Sequence, residues 1–192
     1  MEETKAAEQM LCLRFKAHGS SSALKIEEVE RPMPLRGQLL IKVIAFSLNP
    51  LDIKLLNNPL AELMMKLPHV PARDFSGIVV ENSAVDSSFY QIGSVVIGMT
   101  PNPMKNGAAC EYLCIAEEYV TLCPRRSGVR FDPVALSSVP LVGLTVVEAL
   151  HPYRQHLGRK GETTVGKRIL IHGGSGGVGS FAVQYCRKAL GM

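Results

Sequence analysis

Seven short runs with strand character fill the stretch up to residue 123, and each is the length of one β-strand. They are MLCLRF (10–15), ALKIEEV (23–29), QLLIKVIAFSL (38–48), FSGIVVE (75–81), SVVIGM (94–99), AACEYLCIA (108–116) and YVTLC (119–123). Pro, Gly, Asn and Ser separate them, the pattern of a compact β-barrel or sandwich built from short strands. From Pro133 the periodicity changes. PVALSSV and then LVGLTVVEAL, with Leu141, Leu144 and Val147 at helical spacing, predict helices, and Pro152 is expected to end the second. The polar segment RQHLGRKGETTVG (154–166) reads as a loop, and KRILIH (167–172) as a strand buried on both faces of a parallel sheet.

A glycine run, HGGSGGVGSF (172–181), turns that strand into a last helix. Val178, Ala182, Tyr185 or Cys186, and Ala189 mark the helix's expected apolar face, and Gly191 is placed to cap its end. Gly174, Gly176 and Gly179 match G-x-G-x-x-G, with Ser175, Gly177 and Val178 between them. In a strand-turn-helix setting the glycines permit a tight turn, close backbone approach to a pyrophosphate and close helix packing, while free N–H groups at the helix start face the phosphates. No Gly-Lys-Ser/Thr follows, so the run is not a P-loop. A dinucleotide fold reads the adenosine ribose about 20 residues further on. With Gly179 so near Met192, that residue is expected to lie outside this chain.

Composition narrows the class. With 46% hydrophobic and 20% charged residues there is material for a core. The net charge of +4 comes from scattered Lys and Arg, so no nucleic-acid face is expected. The start, MEETKAAEQM, is acidic and polar, unlike a secretory signal or transit peptide. No apolar stretch approaches the roughly 20 residues of a membrane span, so a cytoplasmic protein is expected. Five cysteines, an odd number, do not form a disulfide scaffold. Cys110, Cys114 and Cys123 fall short of a structural zinc set, and the alternation of ACEYLCIA puts Cys110 and Cys114 on one face as packed thiols. No metal site is expected.

The glycine run, together with NPLDIK (49–54), RDFSGIVVE (73–81) and VPLVGLTVVEAL (139–150), resembles the zinc-independent quinone oxidoreductase (zeta-crystallin-like) branch of the medium-chain dehydrogenase/reductases. The resemblance implies mixed β and α/β architecture. A GroES-like β-barrel domain (1–132) is followed by linking helices and the first β-α unit of an incomplete Rossmann fold (133–192). It also implies hydride transfer from NADPH to a small quinone or α,β-unsaturated carbonyl, whose oxygen then needs a donor or cation. Zinc-dependent relatives carry Cys and Gly-His-Glu ligands where this chain has Asn49 and Ala72-Arg73-Asp74.

Carried onto this sequence, Asn49 and Asp52 would lie beside the nicotinamide and its ribose, Lys54 near the cleft as a donor, and Thr145 facing the nicotinamide. Residue type alone equally explains Asn49-Pro50 as a turn, Asp52 as a helix cap, Lys54 as a solvated lysine and Thr145 as a back-bonded helix threonine. Asp74 and Gly77 read as structural, and Met64 and Met65 as pocket lining or core filler. Lacking the adenine and ribose pockets, this chain alone is expected to bind NADPH weakly or not at all and to be inactive. Two alternatives stand beside this reading: a truncated, non-catalytic module that forms a homodimer through an unpaired strand edge, and an enoyl-thioester reductase.

Overall fold

A computed structural model describes residues 8–83, 89–124 and 131–192, so most of the polar start of the chain lies outside the described residues. β1 (Gln9–Phe15) and β2 (Leu24–Glu30) form an antiparallel pair, in register from Gln9 opposite Glu30 to Phe15 opposite Leu24. A five-stranded antiparallel sheet comprises β3 (Gln38–Ser47), β4 (Asp74–Asn82), β5 (Val95–Met99), β6 (Tyr112–Ala116) and β7 (Val120–Leu122), in the order β6-β3-β4-β5-β7. Leu39 and Ile41 of β3 share a core with Phe75, Val79, Val96 and Ile115. Leu40 between them points to the opposite face and is also fully buried, so the middle of this sheet is covered on both sides.

The two sheets are stitched along β1. The Leu13 N–H donates to Ala109 O (2.8 Å), the Glu111 N–H to Leu11 O (3.0 Å), and Phe15 and His69 exchange a pair of backbone bonds (3.0 and 2.9 Å). The expected strand 108–116 is therefore regular only from Tyr112. Its first residues pair with other segments, Gly107 N–H reaching Val70 O and Ala108 N–H reaching Ala72 O, both at 2.7 Å. A Cβ on Gly107 would lie 2.0 Å from Ala72 O, so this crossing admits only glycine.

α1 (Pro50–Leu56) follows β3, and a 3₁₀ turn spans Pro59–Leu63. α2 (Pro133–Leu136) packs against β3, β4 and β5. The chain consequently divides into compact units at Met1–Ser138 and Val139–Met192, a few residues past the expected boundary at 132/133.

In the second unit, α3 (Pro140–Arg159) packs against α4 (Gly177–Ala189) around Val146, Leu150, Cys186 and Leu190. Three expectations are corrected here. α3 runs through Pro152 for two further turns, because the lost N–H and the ring fall on an exposed stretch while Leu157 is buried beyond it. The face of α4 is set by Cys186 and Leu190 with half-buried Phe181, Ala182 and Tyr185, leaving Val178 and Ala189 exposed. Gly191 does take the left-handed conformation (φ 67°) past the helix end. Finally, 167–172 is not a strand: among the described residues no segment hydrogen-bonds along it, and Leu170 is 93% exposed. A strand needs a partner ladder, and an apolar run without one stays irregular.

Candidate functional site

Two groups of residues carry the expected chemistry, one in each unit. In the β unit the site begins where β3 ends. Asn49 is extended (φ −115°, ψ 160°), and Pro50 occupies the first helical position, where its missing N–H costs nothing. The Asp52 carboxylate accepts the Asn49 N–H (2.7 Å) and, across the chain, the Ala72 N–H (2.9 Å), and Asp52 is only 8% exposed. Both oxygens are thus committed to backbone amides, the capping role its residue type offered. Ala72 is the non-glycine residue with positive φ (70°) among those described, and Asp52 holds it there.

Asn49 turns its side chain the other way. Its Nδ2 donates to Oδ2 of the fully buried Asp74 (3.0 Å), and the Ser47 hydroxyl donates to the same oxygen at 3.4 Å. Arg73 points its guanidinium at main-chain carbonyls, Nε to Thr100 O (3.0 Å) and Nη2 to Thr100 O (2.6 Å) and Pro101 O (3.0 Å). At the positions where the resemblance places the ligands of zinc-dependent relatives, this chain therefore has an Asn49–Asp74 hydrogen bond and an Arg73 engaged with main-chain carbonyls. An amide nitrogen and a guanidinium do not ligate zinc. Among the described residues no group of three or more His, Cys, Asp and Glu side chains could hold a metal.

Lys54 is exposed in the last turn of α1. His69 is buried at 3% exposure against the Phe15 ring (centroids 5.3 Å apart), with Nδ1 unpartnered. Desolvation pushes its pKa below the usual histidine value, and the nearby Asp52 charge opposes that shift. Burial pushes the Cys110 thiol up to about 12 and Cys114 to about 11. Both are packed thiols, and the described cysteines form no disulfide.

In the second unit the glycine run opens α4. Gly173, outside the G-x-G-x-x-G match, makes the left-handed turn (φ 77°), and Gly176 N–H closes on Gly173 O at 3.1 Å. Gly179 sits where a Cβ would be 2.1 Å from Gly173 O, so the first turn of α4 lies directly on the loop. Gly174, Ser175, Gly176, Gly177 and Val178 are exposed around the start of the helix. Glycine at 174, 176 and 177 leaves the backbone at the start of the helix free of side chains. Thr145 on α3 donates its hydroxyl to Leu141 O (2.8 Å), the back-bonded geometry. Gly173 and Ala72 escaped the sequence reading because a left-handed φ at a given residue leaves no composition signal when several glycines adjoin, or when the residue is alanine.

The pattern of the alcohol dehydrogenase GroES-like domain matches residues 35–133, which hold β3 to β7 and the Asn49 network. The chain belongs to this family. Quinone-oxidoreductase QR1, chloroplastic, of Triphysaria versicolor is 34% identical over 95% of this chain and 54% of its own. Trans-enoyl reductase pgmF of Aspergillus terreus is 33% identical over 79% of this chain and 41% of its own. Among solved structures, the quinone oxidoreductase from Coxiella burnetii superposes with a TM-score of 0.79 at 29% identity, covering 96% of this chain and 55% of that one. The chain spans about half the length of the relatives it matches. The GroES-like domain implied by the four motifs is the fold observed, with β sheets and few helices, and the solved structures it resembles share it; the strand of the expected β-α unit is not formed among the described residues. Among the described residues no helix is long and apolar enough to cross a membrane.

Proposed function

We propose that this chain is the amino-terminal part of a cytoplasmic, zinc-independent, NADPH-dependent reductase of quinones or other α,β-unsaturated carbonyls. The observation that carries the reading is the Gly173 to Gly179 loop, folded onto the start of α4 with no room for a Cβ at Gly179. NADPH would supply a hydride to the substrate's β-carbon, leaving negative charge on its carbonyl oxygen. The backbone N–H groups of Gly174, Ser175, Gly177 and Val178, on exposed residues, would bind the diphosphate, aided by the positive end of α4. Asp52 and Asp74 fix Asn49 at the end of β3, and Asn49 held there would serve the nicotinamide. Lys54 offers a cation to the developing oxyanion. Thr145 keeps its hydroxyl lone pairs for the nicotinamide amide while its proton stays with Leu141 O.

The test is a titration of this chain with NADPH, followed by amide resonances and by nucleotide fluorescence. Shifts confined to Gly173–Gly179 at millimolar NADPH are expected, without saturation at low micromolar concentration. Unmoved loop amides would remove the diphosphate assignment. Saturable micromolar binding would show that this chain needs no further nucleotide pocket.

The relative named as a trans-enoyl reductase favours an enoyl thioester as the second substrate class. Comparing a benzoquinone with a crotonyl thioester as NADPH oxidant separates the two. The exposed run 168–170 supports the non-catalytic alternative, a homodimer formed by pairing that segment between copies. A discrete dimer in solution without loop shifts would favour that module over the reductase.

A further inference from the structure

A cavity of about 440 Å³ opens on the β unit between the segment after the 3₁₀ turn and the loop that follows β5. Its volume is that of a small-ligand site. Met64, Pro68 and Met104 give it apolar walls, and the polar lining comes from Lys66, Lys105, Asn102 and Asn106. Among the described residues no carboxylate lines it. The paired methionines separate here. Met65 is buried in the core beside Phe15 and Leu55, whereas Met64 is 72% exposed and faces this space.

The two asparagines decide what the cavity offers. Asn102 Oδ1 accepts the Met104 N–H (2.8 Å), and Asn106 Oδ1 accepts the Val70 N–H (3.2 Å). A backbone N–H must meet the amide oxygen and not its nitrogen, so both side chains are oriented with Oδ1 turned to the backbone. What they still offer is NH₂ donors. With Lys66 and Lys105 they set donors around the cavity, and two of these are cations. Arg73 ties the start of this loop down through Thr100 O and Pro101 O. The donors are therefore carried on a loop fixed by hydrogen bonds before any ligand arrives.

We propose that this cavity binds a small organic anion, a carboxylate or phosphate on an apolar body. The anion sits among Lys66, Lys105 and the two carboxamides, and the apolar body lies against Met64, Pro68 and Met104. A neutral ligand would use the walls and forgo the cations. An inorganic anion would use the cations and forgo the walls. The site requires no cofactor, so it stands or falls separately from the reductase reading.

Octanoate, octyl phosphate, 1-octanol and inorganic phosphate, each titrated into the full 192-residue chain carrying ¹³C-methyl methionine, test the assignment. Saturable shifts of the Met64 and Met104 methyls by octanoate, octyl phosphate or both are expected, and the relative strengths of the two tell carboxylate from phosphate. Octanol and inorganic phosphate should each bind roughly tenfold more weakly, a difference of about 1.4 kcal/mol. The double variant Lys66→Gln with Lys105→Gln should weaken the organic anions about tenfold and leave octanol unchanged. Both lysines are exposed, and an unchanged methyl spectrum without ligand verifies the variant's fold. Octanol binding as well as octanoate, inorganic phosphate binding as well as octyl phosphate, or a double variant that keeps full anion affinity would each overturn the proposal.

Discussion

Leu39, Leu40 and Ile41 in β3 and Ile169, Leu170 and Ile171 in the second unit are nearly the same apolar run, yet only the first is a strand. The β3 run is fully buried between β4 and β6. The other leaves Leu170 almost wholly in solvent, with only Ile171 reaching the edge of the α3-α4 core. Local apolarity is equal, and what differs is the presence of neighbours with free N–H and C=O groups in register. Strand character in a sequence is an offer of pairing, and the surrounding chain decides whether it is taken up.

The sharpest test of this contrast is Phe75→Ala, which empties the centre of the β core. A loss of about 3–5 kcal/mol is expected in denaturant melts. In hydrogen exchange, amides of β3 to β5 should lose protection while those of α3 and α4 keep theirs; equal loss in both units would mean that they melt as one. Gly179→Ala is its counterpart, forcing a methyl onto Gly173 O at a cost of about 2–3 kcal/mol, and exchange should then quicken in α4 alone. Asp52→Asn turns an NH₂ toward either Asn49 N–H or Ala72 N–H and leaves one buried donor unpaired, for about 1–3 kcal/mol. Ala72 should register it first, as a shifted amide resonance.

A milder effect comes from acid. The folded-state pKa of His69 lies below its unfolded value near 6.5, so below that pH the unfolded chain binds more protons. Stability of the β unit should be full above about pH 6.5 and decline as pH falls toward 5, before the carboxylates titrate. An imidazole titration of His69 at or above 6.5 would contradict this. The smallest effect belongs to Leu170→Lys, within about 0.5 kcal/mol of wild type, because the side chain is already in water. A larger loss, or dissociation of a dimer, would reveal a partner for this segment.

Much of the β unit was legible because alternation and turn residues report one element at a time. β3, β4 and β5 fall within a residue of the runs that predicted them. Boundaries failed where a long-range bond intervened, as at Cys110, whose neighbours serve β1 and the 70–72 segment. Pro152 misled because a proline's cost depends on what its helix buries further along, here Leu157. At the site, Asp52 and Thr145 show in full the capping and back-bonding that their residue types allowed. The donor-lined cavity was invisible in the sequence, since Lys66 and Lys105 are far apart in the chain and lie on segments joined by long-range bonds such as that from Val70 N–H to Asn106.

The raised thiol pKa values bear on how this fold survives electrophiles. Quinones and enones alkylate thiolates, and a cysteine with a pKa of about 11 has only on the order of 10⁻⁴ of its population deprotonated at neutral pH. Cys12 and Cys186 are shifted the same way by their burial. A protein meeting Michael acceptors would find these sulfurs chemically quiet, and adducts should form slowly at all four.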